Sequence, residues 1–201
     1  MKTIQTVCVY CGSGPGLNPA YVSAAEAFGR SLAEEGLRLV YGGGSLGLMG
    51  TLARSVLRHG GKVTGIIPEF LVSREKMLRD VDEHIVTEDM HTRKRTMFER
   101  SDAFVALPGG LGTLEETVEM LTWSQLGQHE KPVLLANISN FWQPLIALLT
   151  HMRGEEFIRE GLMAHYLVAE EVAEIVPALR EAVAGRKSAD QGAGAPSLSN
   201  L

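Results

Sequence analysis

Nine consecutive residues hold the groups best suited to chemistry: Pro108, Gly109, Gly110, Leu111, Gly112, Thr113, Leu114, Glu115 and Glu116. They close the apolar segment "DAFVALPGG" and open "TLEETVEMLTWSQLG", so the sequence predicts a strand, a glycine turn and a helix. Glycines at such a turn let backbone amides approach a ligand. The helix N-terminus behind them carries partial positive charge, which suits a phosphate. The two glutamates cannot serve that phosphate. Neighbours on a helix point about 100° apart, so one can complement the helix dipole while the other faces the ligand. A carboxylate one turn deeper than a phosphate would meet the anomeric carbon of a ribose. That carbon becomes cationic when an N-glycosidic bond breaks, and a carboxylate there stabilises the charge and orients a water.

Cations to balance these acids come from "MHTRKRTM", residues 90–97, which holds Arg93, Lys94 and Arg95 in a chain of net charge −5. Such a cluster is often a solvated helix face, but it follows a predicted strand and so lies near the ligand edge. Arginine offers a rigid fork for phosphate or for a carboxylate such as Glu116. It stays protonated at neutral pH, so Arg93 is assigned to clamping and positioning, not to acid catalysis. His91 lacks a partner at metal-ligand spacing, and no metal site is expected.

Two further glycine loops follow predicted strands: "CGSGPG" (11–16), with Ser13, and "YGGGSLGLMG" (41–50), with Gly43 and Gly44. Three such loops at one sheet edge point to a nucleotide or sugar-phosphate site. Residues 42–47 satisfy G-x-G-x-x-G but follow the second strand instead of the first, with Glu69 as the candidate acidic residue. No G-x-x-x-x-G-K-[ST] run occurs. A mononucleotide is therefore the expected ligand.

The elements that must position these residues alternate. Short apolar runs ("TVCVY", "LRLVY", "KVTGIIP", "DAFVA", "KPVLLANI") are separated by amphipathic stretches, and "NPAYVSAAEAFGRSLAEEG" has Asn18 and Pro19 at its start and Gly36 at its end. This pattern predicts a doubly wound, Rossmann-like α/β fold: a parallel sheet with helices on both faces. Residues 68–82 show no clear period and read as loop or short helix. One domain is expected over 1–184, followed by a disordered tail over 185–201, which is rich in Gly, Ala, Ser and Pro. The negative charge argues against nucleic-acid and anionic-membrane partners. Cys8 and Cys11 are the only cysteines, so a disulfide framework is excluded and their C-x-x-C spacing is read as structural. With no signal peptide and no long apolar run, a cytoplasmic protein is expected.

The sequence resembles the Lonely Guy (LOG) family of cytokinin riboside 5′-monophosphate phosphoribohydrolases. The P-G-G-x-G-T-x-x-E motif is matched in full at 108–116, and the M-H-x-R-K element at Met90 to Lys94. "VYCGSG", "VYGGGSLGLMG", "GGKVTGIIP" and "LGQHEKPV" extend the likeness over about residues 5–180. The resemblance implies hydrolysis of N6-substituted AMP, and of AMP itself, to free base and ribose 5-phosphate, without a cofactor. It implies Arg93 and Glu116 as the catalytic pair and Lys94 as a substrate ligand. The nucleotide is expected against Gly109, Gly110, Leu111, Gly112, Thr113, Leu114 and Glu115, with Thr122, Ser13, Gly43, Gly44 and Met90 contributing. A homodimer is also implied. The segment between "IIP" and "MHTRK" is longer than in plant members, so the acidic residue they carry there falls on Glu69 or Glu75. Two other readings compete. One is a non-catalytic nucleotide or cofactor carrier on the same fold. The other is the lysine decarboxylase label often given to the family, which would require pyridoxal phosphate on a lysine.

Overall fold

Strand residues that are apolar at every position can be satisfied only in a sheet covered on both faces. Thr6–Tyr10 (β1), Arg38–Tyr41 (β2), Val63–Pro68 (β3), Ala103–Ala106 (β5) and Val133–Ala136 (β6) are buried along nearly their whole length. Glu83–Thr87 (β4) and Tyr166–Ala169 (β7) are the more exposed strands, as expected of edges. The computed structural model describes residues 3–72, 76–158 and 166–192, with 186–192 described by backbone alone. Its seven strands pair in parallel in the order β4-β3-β2-β1-β5-β6-β7.

Helices Pro19–Glu34 (α1), Gly47–Arg58 (α2) and Val172–Gly192 (α6) associate with one another, α1 packing on both α2 and α6. Met90–Glu99 (α3), Leu111–Gln125 (α4) and Gln143–Gly154 (α5) supply residues to the apolar clusters on the opposite face. Strand β1 shows the two-faced packing directly. Val7 and Val9 join the first cluster, while Cys8 and Tyr10 join the second, at the period of two that a strand imposes. The doubly wound expectation is met.

The order reverses at β1, which has β2 on one side and β5 on the other, and this switch point is where open α/β sheets bind ligands. All three glycine loops converge there. The Gly12 N–H donates to the Pro108 carbonyl at 3.0 Å, and the Gly12 carbonyl accepts from Leu48 and Met49 at 3.1 and 3.3 Å. Among the described residues of 68–82, which are aperiodic in sequence, Glu69–Leu71 form a 3-10 turn and residues 76–78 form a strap across the second loop. Gly44 and Met77 form an antiparallel bridge, and the Leu78 N–H donates to the Gly43 carbonyl at 3.0 Å. Helix α6 continues to Gly192, past the Gly185 at which the sequence placed the start of the tail. The remaining tail, and Glu75, lie outside the described residues.

Candidate active site

Helix α3 begins at Asp89, whose carboxylate accepts the Thr92 N–H at 2.8 Å, an N-cap that fixes where the helix turns start. The helix then points Arg93 inward. Arg93 is only 6% exposed; its Nε donates to the Ile66 carbonyl at 3.2 Å, and its Nη1 lies 3.7 Å from the Met90 sulfur. The guanidinium passes directly over Gly42, where any Cβ would collide with Nη2. Position 42 is thus glycine for space.

Helix α4 has Gly110 as its N-cap, with no side chain to occupy the first amides of the helix. Behind that turn, a Cβ at Gly109 would strike the Thr113 hydroxyl and lie 2.9 Å from the Gly12 nitrogen. The close approach of the β1 and β5 loops needs glycine there. One turn into α4, Glu116 is 8% exposed. Its Oε1 stands 3.7 Å from Arg93 Nη2, so two opposite charges are buried side by side. In such low-dielectric surroundings each requires the other.

These residues surround a cavity of about 220 Å³. Of the residues read from the sequence, Ser13, Met90, Arg93, Gly110, Leu111, Gly112, Thr113, Glu115 and Glu116 line it. Gly109 supports the wall from behind. Gly43 and Gly44 carry the strap instead, Leu114 is half-buried against the Trp142 cluster, and Thr122 is exposed, donating its hydroxyl proton to the Val118 carbonyl. Glu69 is exposed on its 3-10 turn, and it does not line the cavity. Lys94 is buried on the other side of α3. Its Nζ donates to Glu115 Oε1 at 2.6 Å and to Glu119 Oε1 at 3.0 Å. Burial alone would lower the amine's pKa, but the hydrogen bonds it donates to the two carboxylates outweigh it and hold the group above its ordinary 10.5.

The sequence reading missed Tyr10, Gly42, Met49 and Met97, all of which line the cavity. Met97 had a signal: Met90, Arg93 and Met97 repeat at i, i+3, i+7 and share one helix face. Met49 had none, because its placement depends on how α2 leaves the second glycine loop. Burial pushes the Cys8 and Cys11 thiols and the Tyr10 phenol far above their ordinary values, so none is a nucleophile or acid at neutral pH. The two cysteines also belong to clusters on opposite sheet faces. Among the described residues, no group of three or more His, Cys, Asp or Glu could hold a metal ion.

Residues 49–179 match the family model described as "Possible lysine decarboxylase". The chain is 44% identical over 179 residues to the cytokinin riboside 5′-monophosphate phosphoribohydrolase of Rhodococcoides fascians, covering 89% of this chain and 90% of that protein. The chain belongs to the LOG family. The rice enzyme of the same name, LOG, is likewise 44% identical over 89% of this chain and 74% of its own length. An Arabidopsis thaliana LOG enzyme is 43% identical, covering 88% of this chain and 82% of its own. Solved structures share the LOG fold at lower identity. The molybdenum cofactor carrier protein of Chlamydomonas reinhardtii superposes with a TM-score of 0.67 at 24% identity, over 91% of this chain and 99% of that one. The molybdenum cofactor binding protein of Rippkaea orientalis gives the same four values. At that identity the likeness concerns the fold alone.

Proposed function

We propose that this LOG family member hydrolyses the N-glycosidic bond of a cytokinin riboside 5′-monophosphate, releasing free base and ribose 5-phosphate, and that it also accepts AMP. The observation that carries this reading is the buried Glu116–Arg93 pair, set one turn inside an uncapped helix N-terminus. The 5′-phosphate sits against the amides at Gly110 to Thr113, where backbone donors and the helix dipole favour an anion. The ribose then extends toward Glu116. As the C1′–N bond lengthens, its electron pair leaves with the base, which takes up a proton from solvent, and C1′ acquires oxocarbenium character. The Glu116 carboxylate stabilises that charge and accepts a proton from the water whose oxygen bonds to C1′. Arg93, fixed by Ile66 and Met90, keeps the carboxylate in place.

Lysine decarboxylation does not fit these residues. Pyridoxal phosphate chemistry needs a lysine able to form a Schiff base in the site. Among the described residues no lysine lines the cavity, and the nearest in sequence to Arg93, Lys94, is held as an ammonium between two carboxylates. A carrier role would need no buried carboxylate next to the ligand's sugar. We further assign the enzyme to the cytoplasm as a homodimer, with no nucleic-acid or membrane partner. Support for the dimer comes from an outward apolar stripe on α4, with Leu111 at 85% and Leu126 at 64% exposure and Val118 between them. No helix among the described residues is long and apolar enough to cross a membrane.

Incubation with AMP and with isopentenyl-AMP, followed by chromatography, tests the reaction. Free base and ribose 5-phosphate are expected in equal amounts. Absence of base release from both substrates by folded protein would overturn the proposal.

A further inference from the structure

The turn from Leu107 to Gly110 must be held on both flanks if the amides that follow are to meet a phosphate. Its β1 flank is held by backbone. The Leu107 N–H donates to the Tyr10 carbonyl at 2.9 Å, and the Gly12 N–H to the Pro108 carbonyl at 3.0 Å. On the β6 flank the ladder gives out. Pairing of β5 with β6 ends at Ala106 and Leu135, and the Asn137 N–H turns away to the Ala169 carbonyl of β7 at 2.8 Å. There a side chain reaches the strand end. Trp142, 4% exposed, donates its indole N–H to the Ala106 carbonyl at 3.0 Å.

The place of Trp142 is set by Asn137, which is fully buried. Asn137 Oδ1 accepts the Trp142 backbone N–H at 2.7 Å, and its Nδ2 donates to both Glu170 carboxylate oxygens at 3.1 Å. Between them, Ser139 and Asn140 hold left-handed φ values of 51° and 60°, which are unfavourable for residues that carry a side chain. The buried amide closes that loop from its first residue to its last. The far end of the turn is reached by packing. Ala106, Leu135 and Trp142 form an apolar cluster against which Leu114 of α4 rests, two residues before Glu116. The cluster therefore brackets the turn, touching the chain before Pro108 and again after Thr113.

We propose that Trp142 is a positioning residue of the site: anchored through Asn137 and Glu170, its indole fixes the strand end from which the turn departs, and so sets the phosphate-binding amides and Glu116 in their working places. This rests on the hydrolase reading above. None of Trp142, Asn137 and Glu170 lines the nucleotide cavity, so each acts through the turn and not on the ligand.

The test uses Trp142→Phe, which keeps a ring in the cluster but has no donor. AMP hydrolysis is followed well below the melting temperature, and calorimetry gives the Kd of ribose 5-phosphate, which is not consumed. The expected result is a kcat/KM for AMP lower by on the order of tenfold. The ribose 5-phosphate Kd is weaker by about fivefold, the scale of one hydrogen bond. Asn137→Asp sets a carboxylate against Glu170 and lowers kcat/KM in the same direction. Adding Glu170→Gln reverses the polarity of that bond and recovers most of the loss. Unchanged kcat/KM and Kd in Trp142→Phe, with only the melting temperature lowered, overturn the proposal. Recovery of the melting temperature without kcat/KM in the double variant overturns it too. If Trp142→Phe does not fold, the Asn137 and Glu170 variants carry the test. A native protein that binds ribose 5-phosphate but releases no base defeats the hydrolase reading alone, and the Kd still decides the role of Trp142. One that does neither overturns both.

Discussion

Glu116 and Arg93 are buried together, yet their closest atoms are 3.7 Å apart, a looser contact than the 2.6 Å between Lys94 and Glu115. The guanidinium owes its place to what surrounds it: the Ile66 carbonyl, the Met90 sulfur and the empty space at Gly42. Gly42→Ala should therefore displace Arg93 without touching the substrate, and kcat/KM for AMP hydrolysis should fall on the order of 10²-fold, while the circular dichroism spectrum is retained. Unchanged kinetics would show that Arg93 has slack that the structure does not suggest. The thiols provide the opposite expectation. Cys8 and Cys11 lie in separate apolar clusters with raised pKa values, so the folded protein should resist a thiol-specific chromophoric reagent that reacts fully after denaturation. Rapid labelling of native protein would contradict the structural reading of C-x-x-C. At this scale the sequence pointed to Arg93 and Glu116, which the fold brings together, because complete motifs carried them. It did not show Met49 or Gly42, which matter only through the neighbours that folding brings to them.

Among the elements, α3 bears the most weight, because its register determines which of Arg93 and Lys94 looks into the cavity of about 220 Å³. Asp89 sets that register by capping the helix. Hydrogen bonding from the Thr92 backbone amide holds its carboxyl below the ordinary value of 3.8. A depressed folded-state value means that the cap's contribution is complete above pH 3.8, and is lost as pH falls through the folded-state value below it. Asparagine caps as well as aspartate but does not titrate, so Asp89→Asn should make the acid-unfolding limb shallower than in the native chain. Equal acid limbs would remove Asp89 from the account. Helix and strand identities were largely legible because burial on one or both faces writes a period into the sequence. The strap at residues 76–78 was not, since its bonds run from backbone to backbone, Ser45 N–H to the Lys76 carbonyl and Leu78 N–H to the Gly43 carbonyl. Backbone pairing of that kind places no demand on side-chain type.

At the scale of the molecule, the site lies where the strand order reverses, so the β1 and β5 loops face each other with the β2 loop alongside. The alternating pattern made the doubly wound class readable, but strand order was not readable, because it depends on which crossovers pass over which face. The apolar stripe on α4 begins at the cavity mouth with Leu111 and runs outward through Val118 to Leu126. If a second copy covers it, Val118→Glu should convert a dimer to a monomer in sedimentation velocity. A native chain that sediments as a monomer would remove that assignment and leave the site chemistry untouched. The account as a whole rests on one carboxylate. Its most direct test compares Glu116→Gln with the native protein for AMP affinity and for release of base from AMP and isopentenyl-AMP. The expected result is loss of turnover by on the order of 10³-fold or more, in the range of transition-state electrostatic groups, with AMP affinity largely kept. Full turnover in Glu116→Gln would contradict it.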